Sequence, residues 1–95
     1  MGQNYWMLVT SLDNFRITRE RGFSVQGLKK QSKNRVQRMQ PGDRMVYYLS
    51  GALRFAATAT VASKTFEDHT PVWVADTEGE IHPYRVEISP EVVLE

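Results

Sequence analysis

The chain begins with an unbroken run of aromatic and β-branched residues. Residues 5–10, YWMLVT, contain no glycine, proline or charge, which predicts a strand buried on both faces. Ser11 follows this run and is a good helix N-cap. The next segment, residues 12–19, predicts a short helix with Leu12 and Phe15 facing inward.

A second helix is predicted after a polar, glycine-containing stretch. Residues 23–30 have mixed polarity and read as a loop. Ser32 can cap a helix over residues 33–39. In that helix Val36 and Met39 lie three residues apart and would face the core.

The hydrophobic pattern then changes from a helical to a strand period. Residues 44–50 and 53–62 predict two strands joined as a hairpin. A short apolar patch at 72–74 and an alternating segment at 84–88 predict two more, and Pro90 is expected to end the last one. This order, β-α-α-β-β-β-β, predicts an α+β fold built on a curled antiparallel sheet or barrel, with the helices in the N-terminal half.

Composition excludes several classes of protein. At 95 residues the chain is long enough for a single domain, and it has no cysteine for a disulfide or a thiolate metal site. With 11% aromatic and 24% charged residues it does not have the composition of a disordered chain. No apolar run is long enough to span a bilayer, and the N-terminus does not resemble a secretory signal, so we expect a cytoplasmic protein without a membrane partner.

The net charge is +1, but the charged residues are unevenly distributed along the sequence. Residues 16–44 carry nine basic and two acidic side chains, a balance of +7. Residues 65–95 carry eight acidic and one basic, a balance of −7. Two solvated faces would explain this pattern, and so would a basic face that binds a polyanion.

The residues that could support catalysis or metal binding form no recognisable constellation. His69 and His82 are thirteen residues apart in separate loops, and with Asp68 or Glu80 they define no ligand geometry. We therefore expect no catalytic residues, no metal and no cofactor. Phe23 and Trp73 are more informative, because aromatic rings in loops near a basic helix are typical of a pocket that stacks on nucleobases.

Six segments in the same order together resemble the EVE domain family of the PUA-like superfamily, which is related to YTH and ASCH domains. They include the motifs Pro41-Gly42-Asp43-Arg44 and Asp68-His69-Thr70-Pro71-x-Trp73. The segments are residues 5–11, 14–23, 39–49, 68–73, 83–86 and 91–95.

The resemblance implies a PUA-like pseudo-barrel, with residues 1–95 as one domain, that reads modified bases in DNA or RNA. Family members usually continue past the position of Glu95, so the C-terminal part of the usual domain is expected to be absent here. An unpaired sheet edge would result, and such an edge favours a homodimer. Many members also have Trp where this chain has Phe23.

The resemblance also assigns residues to roles. The implied base pocket consists of Thr10, Ser11, Phe23, Val25, Gln26, Tyr47, Tyr48, Ser50 and Trp73. The expected phosphate contacts are Lys29, Lys30, Lys33, Arg35 and Arg38.

The function that follows is a non-enzymatic module that reads a modified or flipped base. Two alternatives stay open: a protein that binds a small molecule or nucleotide metabolite in the same pocket, and a regulatory interaction subunit.

Overall fold

The computed structural model describes residues 4–73 and 81–94 and contains six strands and two short α-helices. The strands are β1 (Tyr5–Thr10), β2 (Val25–Leu28), β3 (Arg44–Leu49), β4 (Arg54–Val61), β5 (Phe66–Glu67) and β6 (Tyr84–Val93). The helices are α1 (Leu12–Glu20), a single 3-10 turn (Lys30–Ser32) and α2 (Lys33–Gln37).

The strands form one curled sheet in the order β1-β3-β4-β6-β2, with β5 also paired to β6. The pair β1–β3 is parallel and every other pair is antiparallel, so the sheet is mixed. Register shifts interrupt the β3–β4 and β4–β6 ladders, and such bulges increase the local bend and twist of a sheet. The expected α+β, PUA-like curled sheet is confirmed, with one parallel pair in place of a wholly antiparallel arrangement.

The helices largely match the sequence pattern. The Ser11 side chain accepts a hydrogen bond from the Asn14 backbone N–H and caps α1. Phe15 is buried as expected, but Leu12 is 40% exposed because it begins the helix on its solvent side. In α2 the buried pair Val36 and Met39 is confirmed, although the helix ends at Gln37 and Ser32 makes no side-chain cap.

The segment predicted as a loop contains β2. Its residues pair antiparallel with Tyr84–Glu87 of β6. The strand was not predicted because Gln26 and Gly27 are not typical strand residues. Their positions depend on contacts with residues that are distant in the sequence. Conversely, Val72 and Trp73 are not in a strand, and residues 74–80, with the acidic stretch 76–80, lie outside the described residues.

Two expectations about strands were wrong. β1 is an edge strand, and its outward side chains Tyr5, Met7 and Val9 are 67%, 49% and 55% exposed, so only one face is covered. Strand β6 continues through Pro90 to Val93. Pro90 is tolerated because it adjoins a register shift in a stretch that pairs only with β4, and prolines in sheets occur at bulges and open edges.

Three aromatic rings form the centre of the core. Phe15, Phe23 and Tyr47 contact one another edge to face, with centroids 5.5 to 5.8 Å apart. Phe23 follows Gly22 in the turn after α1, and its backbone φ of 52° is left-handed, which costs about 1–2 kcal/mol for a residue with a side chain. The burial of its ring, which is 4% exposed, offsets that strain.

The side chain of Asp43 connects the start of β1 to the turn before β3 through hydrogen bonds. Its buried carboxylate accepts hydrogen bonds from the Trp6 indole Nε1 at 2.9 Å and from the backbone N–H groups of Gln40 and Asn4 at 3.0 and 3.2 Å. Burial opposes ionisation of Asp43, but the three donors together outweigh it and hold its pKa below the ordinary value. One ionised side chain thus ties the start of β1 to the turn before β3.

No helix in the described ranges is both long and apolar enough to cross a membrane.

We predict that Phe23→Ala lowers the free energy of unfolding by about 3–5 kcal/mol, because it leaves a cavity among packed aromatic rings. Chemical denaturation measures the loss. Phe55→Ala, which removes a ring that is 53% exposed, is the matched control and should cost about 1 kcal/mol or less. Equal losses in the two variants would contradict the core role of Phe23.

We also predict a pH-dependent effect of Asp43→Asn. A carboxyl group whose pKa is lowered by folding stabilises the fold above its unfolded pKa of about 4, and this contribution is lost as the pH falls through the folded value. The variant should be destabilised by about 1–3 kcal/mol at pH 7. The difference between the wild-type and variant stabilities should shrink in acid; a constant difference from pH 7 to pH 2 would contradict the account.

Candidate functional site

A cavity of about 360 Å³ opens where β1 and β3 end. The two strands are parallel, so their carboxyl ends lie side by side, and the Ser50 backbone N–H donates to the Thr10 carbonyl across this end. The first turn of α1, strand β2 and the start of α2 complete the wall. A volume of this size lies within the range of small-ligand sites.

Five of the nine residues assigned to a base pocket line this cavity. They come from four separate parts of the chain: Thr10, Ser11, Gln26, Ser50 and Trp73. The hydroxyl groups of Thr10, Ser11 and Ser50 can donate and accept beside one flat ring, which suits a heterocyclic ligand, whereas the buried Gln26 amide is bonded to Thr18, Tyr47 and Gly27.

The other four lie elsewhere. Phe23 and Tyr47 are 4% and 0% exposed in the core, where their rings pack against Phe15. Tyr48 alternates to the outer face of β3 and packs against Phe55, and Val25 lines a different groove. The assignment of these four to the pocket is therefore corrected, because strand alternation and the left-handed turn direct their side chains away from it.

A chain of hydrogen bonds holds the indole of Trp73 in the cavity wall. Trp73 Nε1 donates to Thr18 Oγ1 at 2.8 Å, and the Thr18 hydroxyl donates to Gln26 Oε1 at 3.0 Å. The Tyr47 hydroxyl donates to the same Gln26 oxygen at 2.8 Å. Burial raises the pKa of Tyr47, so its hydroxyl stays a donor. The chain links the aromatic core directly to the cavity wall.

The indole also requires a glycine opposite its edge. A Cβ built on Gly27 would lie 2.4 Å from Trp73 Cζ3 and 2.8 Å from the His82 carbonyl oxygen, well inside contact distance. Only glycine lets the ring approach the backbone of β2 this closely. Gly27 therefore has a packing role that its strand position alone does not reveal.

A buried arginine supports the ring from another side. The Arg85 guanidinium carbon lies 5.1 Å from the centroid of Trp73, within cation–π range. Arg85 Nε donates to the His82 carbonyl at 3.0 Å, Nη2 donates to the Thr70 carbonyl, and Nη1 lies 3.2 Å from Asp68 Oδ2. Burial lowers the pKa of Arg85, and the Asp68 carboxylate opposes that effect.

Two of the five residues expected to contact phosphate reach the cavity. Lys29 and Arg35 line it, and Arg35 also donates through Nη2 to the Met7 carbonyl on the edge of β1. Lys30, Lys33 and Arg38 are exposed outside it. Lys33 lies 5.8 Å from the ring of Tyr84, and Arg38 lies 5.9 Å from that of Trp6.

Sequence reasoning missed several residues of this site, among them the apolar lining residues Leu8, Val9 and Leu28. Asn14, Ser32, Gly27 and His82 line the cavity, and Thr18 lies behind its wall. Asn14 could have been found, because it lies three residues after the Ser11 cap and hence in the same turn. Nothing in the sequence signals Thr18 or Gly27, since their roles depend on where Trp73 packs.

Among residues 4–73 and 81–94, no group of three or more His, Cys, Asp or Glu side chains is arranged to hold a metal ion.

Comparison with known sequences identifies one family model and two related proteins that are similar to this chain. The model of the EVE domain matches residues 4–95. A UPF0310 protein of Pyrococcus abyssi is 30% identical over 95 residues, and a UPF0310 protein of Pyrococcus horikoshii is 29% identical over 96. The matches cover 92% and 90% of this chain, which spans 66% and 65% of the length of those relatives.

Comparison with solved structures agrees at the level of the fold. A crystal structure of the Mmi1 YTH domain superposes with a TM-score of 0.70 and 17% identity over 98% of this chain and 67% of that one. An Mmi1 YTH domain in complex with RNA superposes with a TM-score of 0.67 and 17% sequence identity, over 97% of this chain and 58% of that one. A protein of Pseudomonas syringae superposes with a TM-score of 0.62 and 17% sequence identity, over 94% of this chain and 68% of that one.

We predict that Gly27→Ala destabilises the protein by about 1–3 kcal/mol, because the new methyl group would overlap the Trp73 ring or the His82 carbonyl. Denaturant unfolding followed by tryptophan fluorescence measures both the stability and the environment of the indole. Gly51→Ala, where the added Cβ meets nothing within 4 Å, is the matched control and should be near neutral. A Gly27→Ala protein as stable as that control would show that Trp73 does not need the close approach.

Proposed function

The chain belongs to the EVE domain family, and on that premise we propose that it is a non-enzymatic module that binds a modified or flipped base of a nucleic-acid strand in the cavity walled by Trp73. The observation that carries the proposal is the fixed indole beside polar groups from four parts of the chain.

The cavity has the chemistry that base recognition needs. A flat aromatic wall contacts a heterocycle without specifying it, and donors and acceptors placed around the edge distinguish one base from another. Ser11, Asn14 and Ser50 supply such groups beside Trp73. Because Trp73 is only 6% exposed, it offers the ligand an edge or part of one face rather than an open platform.

The basic residues around the opening suit the rest of a strand. A base drawn out of its stack brings its own phosphates to the rim of the pocket. In this proposal Lys29 and Arg35, which line the cavity, contact the nearest phosphate, and the exposed Lys30, Lys33 and Arg38 contact the strand beyond it. Support comes from the similarity in fold to a YTH domain solved in complex with RNA.

The test is a titration of the protein against oligonucleotides of one sequence that carry a modified base, such as N6-methyladenine or 5-methylcytosine, or the unmodified base. We predict a preference of about tenfold or more for a modified base, since one additional methyl group that fills a pocket is worth about 1–3 kcal/mol. Ser50→Trp, which fills the cavity from an exposed position, should abolish the preference. Ser89→Trp, at an exposed position on β6, should retain it.

The salt dependence of the same titration separates a polymer ligand from a small one. We predict that Lys30→Glu combined with Lys33→Glu weakens binding to all sequences alike and flattens the log–log salt slope by about 1 for each lost phosphate contact. Unchanged affinity in this double variant would remove the two lysines from the interface. Tight binding of a free nucleoside without any effect of salt would favour the small-molecule alternative.

A further inference from the structure

The charges around the cavity are unevenly distributed. Two cationic side chains, Lys29 and Arg35, lie on its wall. The N-terminus of α1 also opens there through Ser11 and Asn14, and it adds a partial positive charge. Asp13 in the first turn of α1 is exposed and does not line the cavity. Among residues 4–73 and 81–94, the charged groups that a ligand in this space faces are therefore positive and lie on two sides of it.

The aromatic wall does not compensate for this charge. A ring attracts a cation through the negative potential over its faces, and aromatic cages for methylated cations depend on such faces being open. The Arg85 guanidinium, fixed by the carbonyls of Thr70 and His82 and paired with the Asp68 carboxylate, already lies 5.1 Å from the Trp73 centroid. The quadrupole of Trp73 thus already interacts with a cation of the protein's own.

We propose that the cavity selects uncharged modified bases and rejects bases whose methylation makes the ring cationic. The inference rests on the proposed function, because it specifies the class of base that this same site would take. The cavity accepts neutral bases that are methylated at a ring carbon or an exocyclic nitrogen. It excludes bases that are methylated at a ring nitrogen, where these keep an additional proton and are cationic at neutral pH. Repulsion from Lys29 and Arg35 is the cause, because Arg85 lies behind the ring and is paired with Asp68.

Pairs of isomeric nucleosides test this directly, because they differ in charge and hardly at all in size. The first pair is 5-methylcytidine, which is neutral, and 3-methylcytidine, which is cationic at neutral pH. The second is N6-methyladenosine and 1-methyladenosine. Each is titrated into the 15N-labelled protein at low salt, where charge repulsion is least screened. The indole N–H resonance of Trp73 reports binding, and that of Trp6, which is bonded to Asp43, serves as the internal reference.

The expected result is a shift of the Trp73 resonance with the neutral member of at least one pair, at a concentration at least tenfold lower than with its cationic isomer. Lys29→Gln should reduce that ratio, because it removes one of the repelling charges. Lys64→Gln makes the same change in net charge at an exposed position outside the cavity and should leave the ratio unchanged.

The outcomes separate this inference from the proposed function. Equal binding of both isomers, or tighter binding of the cationic one, overturns the charge selection and leaves base binding standing. A ratio that does not respond to Lys29→Gln but falls in Lys64→Gln overturns the assignment to the cavity charges. If no nucleoside shifts Trp73 at millimolar concentration, the cavity takes no base and both proposals are overturned.

Discussion

The close approach of Trp73 to Gly27 is the contact on which the site depends. It brings an indole from a loop against the backbone of β2, and the indole N–H donates a hydrogen bond to Thr18. Through Thr18 and Gln26 the ring is bonded to Tyr47, which belongs to the aromatic core. The cavity wall is therefore connected to the core by side-chain hydrogen bonds, and such supporting contacts hold the residues of a binding site in position.

The fold could be predicted from the sequence wherever a single period dominated. The hairpin of β3 and β4, the Ser11 cap and the burial of Phe15, Val36 and Met39 follow from local patterning. Strand β2 could not be predicted, because Gln26 and Gly27 were placed by partners distant in sequence rather than by strand propensity. The exposed face of β1 could not be predicted from the sequence either, since an apolar run does not reveal whether both faces of a strand are covered.

The site shows the same division. Thr10, Ser11 and Ser50 were assigned from the family resemblance and line the cavity, but the parallel pairing of β1 and β3 that brings them together was not predicted. Phe23 was misassigned because a glycine-flanked aromatic residue reads as a loop tip, whereas its left-handed backbone turns the ring into the core. Trp73 was assigned to the pocket by analogy with the related YTH domains, and it lines the cavity, but that analogy could not reveal the partners that hold the ring there.

The central claim is that a base enters the cavity against Trp73. A crystal structure of the protein with a short oligonucleotide carrying its preferred modified base tests that claim most directly. The account predicts one base turned out of the strand into the cavity, in contact with the indole, with its flanking phosphates beside Lys29 and Arg35. A strand bound on another face, with the cavity left without a base, would contradict it.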